Sequence, residues 1–346
     1  MDDNATFGCT DHNTFTVSYV VIAINFFIVP CFSILGIIGN VAFLATIIRL
    51  KGSQSGLNTY LCHLAVCDIL FLSSSLYWIL QSAFSTKPNV VFSLSYVCVG
   101  YVLSTHVLYF ASIELNTVIS VERYFAICVP LRHRLVVGRK RTMKLLIFVW
   151  LSATIGAMTI IPSQSTLGYL CYVWQQQESD DLTQIVPICG PRSVYWEYYA
   201  IIFILLLFFL TFSLNSALYV NIIKALHERT SMMTRSSSEP ESNQQPPQLQ
   251  TSTSFQLEAE NIRNQVARTL VASGIIFFIT QTPMRLLTLE ALLDKSNNGV
   301  LDSRQYDVLD MISNVGLFFN SIINPYLYFA SCRYYRDAFR NSFKCK

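Results

Sequence analysis

Charge is scarce in this sequence. Only 13% of its 346 residues are Asp, Glu, Lys or Arg, about half the share found in soluble domains. That leaves too little polar surface to cover a globule of this length in water. Ten cysteines are too few, at this length, for a secreted scaffold held by disulfides. An excess of one sign is missing as well: the formal net charge is +3, which provides no electrostatic footprint for nucleic acid. No internal repeat runs along the chain, so an inverted-repeat transporter has little support. Neither a nucleophile–base arrangement nor a Cys/His cluster at metal-ligand spacing stands out, and no enzyme is expected.

Long apolar runs are what the chain does have. Hydrophobic residues make up 52% of it, and the mean hydropathy is +0.42. Apolar runs of 18 or more residues read as bilayer-spanning helices. Seven can be placed: Ser18–Ile48, Leu57–Phe84, Ser95–Cys128, Met143–Leu167, Val194–Leu226, Ile262–Leu293 and Tyr306–Ser331. The reading is an all-α membrane protein, a seven-helix bundle over residues 18–331. Residues 1–17 form an outer amino terminus, and residues 332–346 form a tail. Barrel strands are excluded because they alternate over about ten residues instead of running unbroken. The start, MDDNATFG, has no basic segment, so no cleavable signal peptide is expected.

Orientation follows from the basic residues. With the amino terminus outside, five of the 24 Lys and Arg lie at the outer side (Lys87, Arg192, Arg285, Lys295 and Arg304), and all the others lie inside, as the positive-inside bias requires. Asn4-Ala5-Thr6 is then a glycosylation acceptor on the outer face. The stretch from Thr230 to Gln256, rich in Ser, Thr, Gln and Pro, cannot bury a core. It reads as a disordered inner loop at about 228–260.

Polar groups inside spans are costly and mark candidate sites. Asp68 lies midway along the second span, with Asn40, Ser112, Asn320 and Asn324 at similar depth on the first, third and seventh. One carboxylate among hydroxyl and amide oxygens suits a small hard cation. The same set serves as a hydrogen-bonded cluster joining helices. Glu114 in the third span reads as a protonated carboxyl bonded to a neighbouring helix, or as a pH sensor. Glu122 and Arg123 end the third span in SVERYFAICVPLRHR, and Tyr124 follows them. Pro283 in the sixth span and Pro325 in NSIINPYLY each free a carbonyl and permit a kink.

Taken in order, GN at Asn40, LAVCD at Asp68, ERY at Arg123, Trp150, Tyr219, Pro283 and NPYLY from Asn324 to Tyr328 resemble the rhodopsin-like (class A) G-protein-coupled receptors. The likeness covers the chain from the first span to the tail. It implies an outer ligand site and outward movement of the sixth helix. It also implies an inner cleft where Arg123, released from Glu122 and flanked by Tyr219 and Tyr328, meets a heterotrimeric G protein. Asp68, Ser112, Asn320 and Asn324 match the family's pocket for an allosteric sodium ion. The tail, with Phe339 and Phe343 on one face, resembles the family's membrane-surface eighth helix, and its flanking Cys332 and Cys345 are expected palmitoylation sites. The family's outer disulfide would join Cys98 to Cys189, or else to Cys171.

Three positions depart from the family. Gln281 stands where the tryptophan switch is expected, so the toggle would work differently or pass to Phe277. Thr211 replaces the fifth-span proline, and Arg263 replaces the acidic residue at the base of the sixth span, so no lock from Arg123 to that helix is expected. High basal signalling, as in a constitutively active orphan receptor, would follow. A cation or proton transporter or channel using Asp68 and Glu114 is the reading from a different class. The seventh span lacks a lysine for retinal, and the amine-binding aspartate position holds Thr105, so light and amine receptors do not fit.

SVERYFAICVPLRHR also resembles the ghrelin, motilin and neuromedin group, and the long second outer loop fits the hairpin lid of peptide receptors. On the outer side twelve acids face five bases, a rim that would concentrate a cation. A short, basic, amidated neuropeptide is the expected ligand, with Thr105, Gln281, Arg285, Glu290 and Asp310 in its pocket. Phosphorylation sites gather in the third inner loop, where arrestin recruitment is expected to run.

Overall fold

The computed structural model describes residues 14–16, 27–50, 56–84, 95–173, 183–236, 247–294 and 300–343. Seven long helices form the bundle: Val29–Arg49, Gly56–Phe84, Ser95–Cys128, Arg139–Ile160, Val194–Ser236, Pro247–Asp294 and Ser303–Ser331. They are called the first to seventh spans below. A short helix, Arg333–Phe343, follows Cys332 at the end of the seventh.

Six of the seven are long and apolar enough to cross a membrane. The seventh span is less apolar because it carries Asn314, Asn320 and Asn324 among its residues. The last two are buried in the bundle, where amides bond to neighbouring helices instead of facing lipid. Elsewhere the exterior is apolar: Ile147, Phe148, Leu151, Leu206, Phe209 and Leu210 all stand exposed on the fourth and fifth spans. Such a surface suits hydrocarbon and not water.

Several boundaries differ from the sequence reading. The fourth span begins at Arg139 and stops at Ile160, because Pro162 forces a tight 3-10 turn over Ile161–Ser163. Leu167, expected in that helix, lies in a strand. A seven-residue helix, Pro130–Val136, fills the connection between the third and fourth spans, with its proline at the first helical position. The fifth and sixth spans run on to Ser236 and back to Pro247, so helix occupies most of the stretch read as disordered. Once a helix is nucleated by a buried span, each added residue gains a hydrogen bond at small cost.

The expected hairpin is present. Strands β2 (Thr166–Val173) and β3 (Thr183–Gly190) pair antiparallel, with Leu167 opposite Cys189 and Cys171 opposite Ile185. Strand β1 (Thr14–Thr16) adds in parallel to β2, a small sheet beyond the all-helical expectation. Cys189 is disulfide-bonded; the side chain of Cys98, its expected partner, lies outside the described residues, as do Asn4 and Cys345.

Two glycines set how closely helices pack. A Cβ on Gly316 would stand 2.5 Å from the carbonyl oxygen of Thr280, and one on Gly274 would collide with the Tyr219 hydroxyl. The first obstacle is backbone and cannot rotate away. Gly316→Ala should therefore destabilise the bundle by about 1–3 kcal/mol. Thermal unfolding of the purified protein measures this, and an unchanged midpoint would contradict the contact.

Candidate functional site

Polar groups collect at three levels of the bundle. At the end opposite the hairpin, a cavity of about 390 Å³ is lined by Arg123, Glu122, His133, Arg141, Arg263 and Tyr335, among others. The expected pairing of Glu122 with Arg123 is corrected here. Glu122 is buried, with Oε1 3.1 Å from Arg141 Nη1 and Oε2 3.2 Å from His133 Nε2. One oxygen is therefore held by the start of the fourth span and the other by the helix that leads into it, and Arg123 is left facing the cavity, its Nε buried without a partner. Tyr219 accepts a hydrogen bond from Ser120 at 3.0 Å, and Tyr328 packs on Phe43 at 4.9 Å between ring centres.

The base of the sixth span is not free either. Arg263 is there as read, yet Glu260, one turn earlier, accepts from Arg229 Nη1 of the fifth span and from Arg263 Nη2, each at 3.1 Å. Arg229 Nη2 also donates to the carbonyl of Ile127 at 2.6 Å. One guanidinium thus ties the third, fifth and sixth spans together. Sequence reasoning passed over this link, since it looked for an acid only at the position of Arg263.

Midway along the bundle, Asn324 Nδ2 donates to Asp68 Oδ2 at 3.1 Å, and Ser273 donates to Asn324 Oδ1 at 2.8 Å. Asn40 donates to the carbonyl of Ser321 at 2.8 Å. These bonds join the first, second, sixth and seventh spans. Beside them is a small cavity of about 30 Å³ lined by Asp68, Ser112, Asn320, Phe277, Tyr109 and Gln281. That volume exceeds the roughly 10–15 Å³ that one water needs. Asp68, Ser112 and Asn320 are brought together as expected, and their oxygens fit a small hard cation. Asn324 is a correction: its oxygen is taken by Ser273, so it holds Asp68 in place and does not face the cavity. Tyr109 and Gln281 were not among the expected donors. Gln281 Oε1 and the Tyr109 hydroxyl are both buried without a hydrogen-bond partner, at a cost of about 1–3 kcal/mol for each group left unsatisfied.

Toward the hairpin end, Arg285 is buried with its Nε unpartnered. Its guanidinium carbon stands 5.1 Å from the ring centre of Tyr109 and 5.9 Å from that of Phe208. Cation–π contact stabilises it in part; no ion pair to it occurs among the described residues.

The other expected pocket residues are engaged elsewhere. Glu290 accepts from the backbone N–H groups of Val300 and Leu301, at 2.7 and 2.8 Å, and so pins the connection between the sixth and seventh spans. The Thr105 hydroxyl donates to Tyr101 and Val102 on its own helix. Asp310 is exposed and accepts from Asn314 at 3.1 Å. Asp302, counted in the acidic rim, caps the seventh span through a reciprocal pair with Gln305. Glu178, Asp180 and Asp181 lie outside the described residues. Glu114 accepts from Ser152 of the fourth span at 2.5 Å.

Thr211 bonds back to the carbonyls of Leu207 and Phe208, so the fifth span continues unbroken where a proline would have bent it. Cys332, an expected lipid site, is fully buried in the core beside Tyr335, and burial pushes its thiol pKa up. A thiol so placed cannot carry an acyl chain without unpacking that corner. Cys332 in the folded protein should resist maleimide and react after denaturation; rapid labelling of the native form would refute its burial.

A seven-span bundle with a polar core, a basic cavity at one end and a strand hairpin over the other defines a transmembrane receptor. The sequence profile described as "7 transmembrane receptor (rhodopsin family)" matches residues 39–328, and the chain belongs to that family. Among its relatives, the thyrotropin-releasing hormone receptor of Bos taurus is 25% identical, over 95% of this chain and 80% of its own. Neuromedin-U receptor 2 of Mus musculus is 26% identical, over 89% of this chain and 72% of its own. The pyrokinin-1 receptor of Drosophila melanogaster is 24% identical, over 89% and 76%. Membership makes this a multi-pass membrane receptor and sets aside the transporter reading of Asp68 and Glu114.

Proposed function

We propose that this protein is a plasma-membrane receptor for a short extracellular neuropeptide and passes binding on to a heterotrimeric G protein. Its hairpin end faces outward and its Arg123 end faces the cytoplasm. The observation that carries the reading is Arg285, a buried cation with aromatic neighbours and, among the described residues, no carboxylate partner. A lone buried charge is stable only when something meets it. A peptide's acidic side chain or a cluster of its carbonyl oxygens supplies that partner. The relatives' names, receptors for thyrotropin-releasing hormone, neuromedin U and pyrokinin, support a peptide.

The ligand expected from the acidic rim is refined accordingly. Glu290 and Asp302 serve the fold, which weakens the case for a purely cationic ligand. The peptide presents an acidic or carbonyl-rich end inward, and any basic end stays near the hairpin. Agonist binding favours a state in which the sixth span moves away from the third, opening the cavity around Arg123 to the transducer. A sodium ion among Asp68, Ser112 and Asn320 favours the closed state. Phosphorylation of the serines and threonines from Ser236 to Ser254 recruits arrestin, and Cys345 is the remaining site for a lipid anchor.

A peptide library screened on cells expressing the receptor, with calcium and cyclic-nucleotide readouts, tests the proposal. A hit must stimulate nucleotide exchange in membranes, and Arg123→Ala should abolish that response. A response intact in Arg123→Ala, or an antibody to the first residues that labels only permeabilised cells, would defeat it.

A further inference from the structure

The small cavity beside Asp68 contains more donors than the family resemblance assigns to it. Gln281 occupies the place of an indole, which would fill space and offer no oxygen. Here the amide oxygen is buried on the cavity wall and unpartnered, and the Tyr109 hydroxyl on the same wall is also unpartnered. Asn324, meanwhile, is turned away by Ser273. The cavity thus loses one expected oxygen and gains another on the sixth span, the helix whose movement the receptor mechanism requires.

We propose that Gln281 Oε1 is a direct ligand of the sodium ion held by Asp68, Ser112 and Asn320, and that the Tyr109 hydroxyl completes the same shell through a bound water. An amide carbonyl is a hard neutral donor of the kind that small cations take alongside a carboxylate. Because Tyr109 also lies under Arg285, the ion and the outer ligand share one side chain. A peptide that draws Arg285 upward disturbs the floor of the cation site, so ligand and ion oppose each other reciprocally. The inference rests on the sodium reading above and adds to it a ligand on the moving helix.

The experiment is thermal unfolding of the purified full-length receptor, with sodium chloride titrated against N-methylglucamine chloride at constant ionic strength and no peptide present. Wild type should be stabilised saturably by sodium. Gln281→Leu, close in volume, should need about tenfold more sodium for half the effect. Gln281→Glu, which adds a carboxylate, should need less than wild type, a gain that a merely structural glutamine would not produce. Tyr109→Phe should fall between wild type and Gln281→Leu. If wild type responds to sodium and both Gln281 variants match it, the glutamine is no ligand, while the sodium reading stands. If wild type shows no sodium-specific shift, the ion site and this inference fail together.

Discussion

Arg285→Gln should weaken the peptide agonist by about 10- to 150-fold. Hydrogen bonds to a charged group contribute about 1.5–3 kcal/mol, and each 1.4 kcal/mol is about tenfold in affinity. The loss should fall on potency, leaving the maximal response intact once the site is saturated. Arg285→Lys should recover only part of it: an ammonium keeps the charge but cannot present the planar fork that meets a carboxylate or paired carbonyls. Concentration–response curves for the three proteins, normalised to surface expression, make the measurement. Equal potency in wild type and Arg285→Gln would mean that the buried cation serves packing against Tyr109 and Phe208 alone. Removing a charge from the core that has no carboxylate partner among the described residues should also raise the thermal midpoint of the ligand-free protein, separating a binding role from a structural one.

Arg229→Gln should raise ligand-independent nucleotide exchange by about 5- to 30-fold. Arg229 joins Glu260 of the sixth span to the carbonyl of Ile127 at the end of the third. Movement of the sixth span away from the third must break that tie. Both side chains are partly exposed, so the ion pair itself contributes about 1 kcal/mol at most. The charge-assisted bond to the carbonyl brings the total to about 1–2 kcal/mol. Glu260→Gln should give a smaller rise, because the carbonyl bond survives, and the double variant should add little to Arg229→Gln. Basal exchange of purified receptor with G protein, without peptide, reads the effect. An unchanged rate in Arg229→Gln would show that the contact does not oppose opening. Arg263 leaves no acid at that position for Arg123 to lock onto; the contact that joins this helix to the third span is made one turn away, between Glu260 and Arg229.

Much of the fold was legible because its strongest signals are local. Seven apolar runs separated by polar stretches suffice to place the spans, since a bilayer imposes a minimum length on each. The errors lie at the ends: Leu167 left the fourth span because Pro162 breaks it, and the fifth and sixth helices outran the apolar runs that nucleate them. The site was legible in part. Asp68, Ser112 and Asn320 converge as their motifs implied, and Arg285 remains where its spacing from Pro283 puts it. Hydrogen-bond partners could not be read. The saturation of Glu122 by Arg141 and His133, the capture of Asn324 by Ser273 and the use of Glu290 as a loop anchor all depend on groups far apart in the chain.

Composition and periodicity alone determined that this protein lives in a membrane, that seven helices cross it, and which residues carry polarity into the interior. Each of those properties belongs to a segment of about 20 residues and to the solvent around it. Tertiary structure decided which polar groups are satisfied and which are not: Arg123, Gln281 and Tyr109 line cavities with a buried atom unpartnered, as the Nε of Arg285 is too, whereas Glu122, Asn324 and Glu290 are bonded. The physical reason is that burial makes every donor and acceptor compete for partners, and the winner is set by how neighbouring helices approach and rotate, as at Gly316 against Thr280.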